Sequence, residues 1–164
     1  MWDVPTMTDL LDQLGDPDPE LRRLAAVALD DVLATPEIER ALRDAARDRD
    51  AKVRRAALHS LVCAHCKPDG CLAPSAIDIV IDALLHDPSI RNRRWAAGVT
   101  MWQQAGASVR LVDAYRHVLS NDTDRVLRER AATFLASLDV PRRERAHREW
   151  HPHWQRRYEE LLAS

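Results

Sequence analysis

At 164 residues the chain can bury one sizeable core and is short for two ordinary domains. It is 46% hydrophobic and 30% charged, yet holds only four glycines and one phenylalanine, which argues against a β-rich fold. The net charge of −2 is uneven, with 13 acids against six arginines in residues 1–50 (−7) and +5 beyond; that polarity can steer a partner but is not the basic footprint of a nucleic-acid binder.

In chain order, Met7 to Leu14 puts Leu10, Leu11 and Leu14 on one face of a short helix. Asp16 to Leu29, DPDPELRRLAAVAL, then offers Asp18 as an N-cap whose side-chain oxygen accepts from an orphan N–H of the first turn. Thr35-Pro36 opens the next helix with an N-cap and a proline at the first helical position, followed by Ile38, Leu42 and Ala45 at helical spacing. Pro74-Ser75 starts another, carrying Ile77, Val80, Ile81, Leu84 and Leu85. Ser108 caps a further one, with Leu111, Val112, Tyr115, Val118 and Leu119.

The Asp16–Leu29 block returns three times, at 48–61, 87–100 and 122–135. In register stand Asp16, Asp48, Asp87 and Asp122, then Asp18, Asp50, Ser89 and Asp124, all N-cap types. Next come Arg22, Arg54, Arg93 and Arg128, and after them Ala25, Ala57, Ala96 and Ala131. Offsets of 32, 39 and 35 residues are the length of a helical-hairpin repeat. Each copy reads as helix A, a tight turn holding the aspartate column, and helix B, with short turns making A and B antiparallel neighbours. Trp95 shares a register position with Leu24 and Ala56, which predicts a core position.

A turn with Asp or Asp-Pro, an aliphatic-Arg pair and then Ala resembles the HEAT repeat over roughly residues 6–138. The resemblance implies an all-α, right-handed α-solenoid of about four HEAT-like hairpins (6–34, 35–66, 74–105 and 107–138). It also implies that the aspartate and arginine columns form structural ladders between successive repeats. Repeat three departs from the pattern, with Asn92 where Leu21, Val53 and Leu127 stand. From Asp139 the register stops; Pro141 opens an Arg-rich helix, and Trp154, Tyr158, Leu161 and Leu162 form one apolar stripe. Residues 139–164 are read as a helical cap on the open end of the stack, the alternative being an amphipathic docking helix. Trp2 is a candidate cap at the other end.

Three cysteines lie within nine residues, in HSLVCAHCKPDGC, where the repeat spacing stretches to 39. Cys63, Cys66 and Cys71 with His65 would complete a closed tetrahedral zinc site, and His59 or His86 are alternative fourth ligands. The competing reading is a small apolar Cys63 near a helix end and two incidental loop thiols. A thioredoxin-like role fits less well, because Cys63 and Cys66 fall at a helix C-terminus, where the dipole disfavours a thiolate. A single row on the B helices runs Arg23, Arg55, Arg94 and then Glu129, and in HEAT-like stacks that side is usually the concave one. Together with Trp102, these arginines are the contact candidates for a partner. The same row, with an aromatic beside it, could grip phosphate and stack on a base, as in the HEAT-like DNA glycosylases, but the net charge and the break at Glu129 oppose this. His147, His151 and His153 read as a solvated surface.

No phosphate-cradling glycine loop, H-E-x-x-H or G-x-S-x-G occurs in the chain. The expected function is therefore a non-enzymatic adaptor that binds another protein along the concave helix-B surface, with nucleic-acid binding or DNA repair as the alternative. No cofactor is expected beyond a possible zinc. No window has the roughly 18 apolar residues of a membrane span, and Met1-Trp2-Asp3 does not resemble the start of a signal peptide. Three cysteines, an odd count, fit poorly with a secreted disulfide scaffold. The expected location is cytoplasmic, and the sequence leaves the oligomeric state open.

Overall fold

A computed structural model describes residues 5–32, 35–62, 76–102, 108–138, 159–160 and 162–163; the side chains of Met101 and Trp102 are outside that description. Among the described residues there are eight α-helices and no strand. They are α1 Met7–Gln13, α2 Pro19–Ala28, α3 Pro36–Ala45, α4 Ala51–Val62, α5 Ala76–His86, α6 Ile90–Trp102, α7 Val109–Asn121 and α8 Arg125–Leu138. The chain divides into two compact units, residues 1–80 and 81–164.

The helix boundaries follow from the turn chemistry. In all four copies the column aspartate makes the same short-range bond: Oδ1 of Asp16, Asp48, Asp87 and Asp122 accepts the N–H two residues on, at 2.7, 2.7, 2.7 and 2.8 Å. This Asx turn reverses the chain and delivers the next residue as N-cap. Asp18 then accepts from Glu20 N, Asp50 from Lys52 N and Val53 N, and Asp124 from Leu127 N. The A helices start by the same device, with Thr6 in a capping box with Asp9, Thr35 accepting from Ile38 N, and Ser108 from Leu111 N.

In unit 1, α1 packs on α2, α3 on α4, and α2 on α4. Ile38, Leu42, Val53, Leu58 and Leu29 are buried between them, as the helical spacing predicts. The Ser60 hydroxyl, also buried, donates to the Ala26 carbonyl at 2.7 Å and ties α4 to α2. In unit 2, α7 packs on α8 and α6 on α8. The Tyr115 and Phe134 rings stack at 4.1 Å, and the buried Tyr115 hydroxyl donates to the Ala97 carbonyl at 2.7 Å with Thr100 Oγ1 2.6 Å away. Burial pushes the Tyr115 pKa up to about 12.

The alanine column is buried in all four copies, which is why it is small: helix axes pass close there, and extra methylenes would cost about 1–3 kcal/mol each. Asn92 is the informative exception in its own column. It is buried like Val53 and Leu127, and its Nδ2 donates to Asp87 Oδ2 at 3.1 Å, so the polar substitution is matched by an acceptor from its own turn.

Candidate interaction face

The arginine column supplies the frame. Arg22 is buried, and its Nε and Nη2 reach Asp48 Oδ2 and Oδ1 at 2.7 and 2.9 Å, while Nη1 donates to the Asp16 and Pro17 carbonyls. One side chain thus closes its own turn and grips the turn of the next hairpin, the bidentate geometry for which arginine is suited. Burial pulls the Asp48 pKa upward, but the Arg22 bonds, the Asp50 N–H and nearby arginine charge outweigh it and hold the carboxyl below its ordinary range. Arg54 Nη1 repeats the turn-closing bonds, to the Asp48 and Arg49 carbonyls. In unit 2 the corresponding rung, Arg93 to Asp122, is longer at 3.4 Å, and Arg93 Nε is buried without an acceptor. A cavity of 250 Å³ lies against this rung, lined by Leu85, His117, Asn121 and Thr123 among others. Arg128 is exposed, and its side chain makes no ion pair or hydrogen bond among the described residues.

One position further along each B helix lies the row singled out as a contact surface, and its three arginines differ. Arg23 is held by Glu20 on its own helix, at 2.6 Å. Arg94 makes two bonds to Asp124, at 3.0 and 2.6 Å, and so joins α6 to the N-cap of α8. That pair holds the Asp124 carboxyl below its usual range and raises the Arg94 pKa. Arg55 is exposed and has no ion-pair or hydrogen-bond partner among the described residues. The row therefore presents one available guanidinium and two committed ones. Trp102 lies at the end of α6, but its side chain is outside the described residues.

Trp95, expected in the core, is only half-buried, as is Ala56 at the equivalent place, and Leu24 in the same column is 47% exposed. Leu21 and Val27 on the same helix are 41% and 46% exposed. The sequence carried a signal for this: α2 holds more aliphatic residues than one buried face can take. Arg22, Ala25 and Ala26 fill the inner side, and the apolar residues at 21, 24 and 27 fall on the other.

Cys63, Cys66, Cys71 and His65, the candidate zinc ligands, lie outside the described residues, as does nearly all of the C-terminal segment and the whole of Trp2. Among the described residues no group of three or more His, Cys, Asp or Glu side chains could hold a metal ion. His59, an alternative fourth ligand, has its Nε2 3.2 Å from Oδ2 of the buried Asp30, whose Oδ1 lacks a partner. No helix of the described residues is long and apolar enough to cross a membrane.

Helical hairpins in register, each with an Asx turn and an arginine closing it, define a helical-repeat protein of the α-solenoid class. Residues 7–101, more than half the chain, match the family model for HEAT repeats, and the chain belongs to that family. HEAT repeats generally mediate protein–protein interaction or scaffolding, and the family is generally non-catalytic. No curated protein matches the chain.

Proposed function

We propose that this protein is a non-enzymatic adaptor that binds another protein along the exposed face of its B helices. The observation carrying this reading is the outer face of α2 and α4, where Leu24 and Val27 are nearly half exposed and Arg55 has no partner among the described residues. Exposed aliphatic area beside an available arginine is the composition of an interaction surface. The contact set is Arg23, Arg55, Arg94 and Trp102, with Arg55 leading because Arg23 and Arg94 must first leave Glu20 and Asp124. A nucleic-acid groove draws less support, since that pairing removes two of the three cations that would meet phosphate.

The array is assigned to repeats 6–34, 35–66, 74–105 and 107–138 with a cap at 139–164, in a cytoplasmic protein. Cys63, Cys66, Cys71 and His65 remain the proposed structural zinc ligands. Native mass spectrometry should find one zinc that is lost in a C63S/C66S variant; a bare wild-type mass removes the metal.

The adaptor reading is tested by co-purifying the wild type and an R55E/W102A variant from the cells that make the protein. The expected result is a partner held by the wild type and released by the variant. A partner retained equally by both would refute this face, and salt-sensitive binding to DNA at low ionic strength would favour the nucleic-acid alternative.

A further inference from the structure

Each B helix has two stacking sides, and α2 uses one of them. The Ser60 hydroxyl of α4 reaches back to the Ala26 carbonyl of α2, and α8 reaches back to α6 through Arg130, whose Nη1 donates to the Arg94 carbonyl. Ser60 stands in the column of Ala28, and Arg130 in that of Leu24. These columns, with that of Leu21 on the same side of the helix, therefore meet the preceding B helix. Burial agrees: in the Leu21 column Val53, Asn92 and Leu127 are buried, whereas Leu21 itself is 41% exposed. No hairpin precedes α2 among the described residues, so Leu21, Leu24 and half-buried Ala28 form a stacking side without its helix.

The aspartate column is open at the same end. Asp48 receives Arg22, and Asp122 receives Arg93, each from the preceding B helix. The Asp16 carboxylate accepts the Asp18 N–H and makes no ion pair among the described residues. Arg22 is near enough to feel its charge, but the bonds of Arg22 go to Asp48 and to the Asp16 and Pro17 carbonyls, and Arg49 approaches the Pro17 carbonyl. The rest of the hairpin supplies no further cation. Residues 5–32 hold seven acids, exposed Asp31 at the end of α2 among them, against Arg22 and Arg23 alone. Glu20 already holds Arg23 and also attracts Lys52. Net field and local contact therefore both favour a basic occupant.

We infer that this end of α2 docks a basic helix of a partner protein, seated where a preceding B helix would lie. One arginine of that helix reaches Asp16, and small or apolar side chains one turn on pack against Leu21, Leu24 and Ala28. The chain itself shows the pattern that such a side carries, in Arg22 with Ala25 and Ala26 and in Arg93 with Ala96 and Ala97. Other occupants fit less well. Residues 1–4 contain no cation. In a second copy Arg128 is uncommitted, but Ala131 and Ala132 beside it are already fully buried, so α8 has no open side to offer. The inference rests on the adaptor reading and adds the chemistry of the partner and a contact at the end of the array.

The test is a phage library of two-helix hairpins, randomised on one side of the second helix and selected on the full-length protein. Winners are expected to carry an arginine followed one turn later by small residues, and to bind more weakly as salt rises. The leading hairpin is then titrated against L21D/L24D and D16N, both checked for native helicity and urea midpoint. Asparagine keeps the Oδ1 that holds the Asp18 N–H, so D16N removes charge and leaves the turn. L21D/L24D should weaken binding at least tenfold and D16N several-fold. Changing the hairpin's arginine to Ala should cost affinity for wild type and none further for D16N. Acidic winners, a D16N that binds as wild type does, or a library without winners would overturn the inference. The adaptor reading falls with it only if the co-purification is also empty. A co-purified partner that R55E/W102A keeps and L21D/L24D loses would support this end of the array over the Arg55 face. Leu24→benzoylphenylalanine in the protein alone reports an occupant already in place, and a photo-crosslink to a second copy or to residues 139–164 would overturn the inference.

Discussion

Changing Tyr115 to Phe should destabilise the protein near neutral pH and make it the more stable form in alkali. The ring keeps its stacking on Phe134, so the perturbation is confined to one hydroxyl. At pH 7 that hydroxyl donates to the Ala97 carbonyl and lies within bonding distance of Thr100 Oγ1. Thr100 retains the Ala96 and Ala97 carbonyls as acceptors, so only the Ala97 contact is lost without replacement, at a cost of about 1 kcal/mol.

The alkaline arm follows from linkage. Burial raises the folded pKa to about 12 from the ordinary tyrosine value of 10.0, so the folded state holds its proton where the unfolded chain releases it. The stability from this group is complete below pH 10 and is lost as pH rises toward 12. The loss is roughly 1.4 kcal/mol at pH 11 and about 2 kcal/mol at pH 12. The phenylalanine variant has no such proton, so the two stabilities should cross near pH 11. Urea unfolding followed by far-UV circular dichroism, at pH 7, 9, 10, 11 and 11.5, measures the difference, and the arginines common to both proteins cancel. A difference between the two proteins that does not change from pH 8 to 11.5 would refute the claim that Tyr115 is buried and hydrogen-bonded as a neutral phenol.

The remaining predictions concern the turns and the spacing of the helices. Asp48→Asn should cost about 2 kcal/mol at pH 7, because Arg22 loses a charged bidentate partner. Since the folded Asp48 pKa lies below its ordinary value, the lost stability is the part that wild type holds above about pH 4 and surrenders on acidification. The variant's acid-unfolding limb should therefore be shallower in a pH-titrated melt. Asn92→Leu makes repeat three match its neighbours but removes the donor to Asp87, so it should lower stability by about 1 kcal/mol in urea titration, and a stabilised variant would sink that account. Ala57→Leu should cost about 1–3 kcal/mol by overpacking, whereas the same change at half-exposed Ala28 should stay within about 0.5 kcal/mol.

Much of the fold could be read from the residues alone because its determinants are short-range. The Asp-x-Asp turn, Thr35-Pro36 and Ser108 act through bonds to N–H groups two or three residues away, so their identity is enough to place helix starts. The interaction face was less legible. Arg23, Arg55 and Arg94 look alike in register, but their availability depends on acids that register does not track. Glu20 is one turn back on the same helix and Asp124 is 30 residues on. Trp95, expected in the core, is half-buried for a related reason, since the column it shares with Leu24 and Ala56 says which residues align and not which of them another helix covers.

Sequence by itself determined the all-α repeat class, the recurring aspartate turn ahead of each B helix and the small residue within that helix. All of these arise from local hydrogen bonding and from periodicity, which neighbouring residues suffice to set. Tertiary structure decided that Arg22 is buried across two turns, that Asn92 is satisfied inside the core, and that Leu21, Leu24 and Val27 are left outside it. Those outcomes depend on which helix lies against which, and burial is a property of that arrangement rather than of any residue.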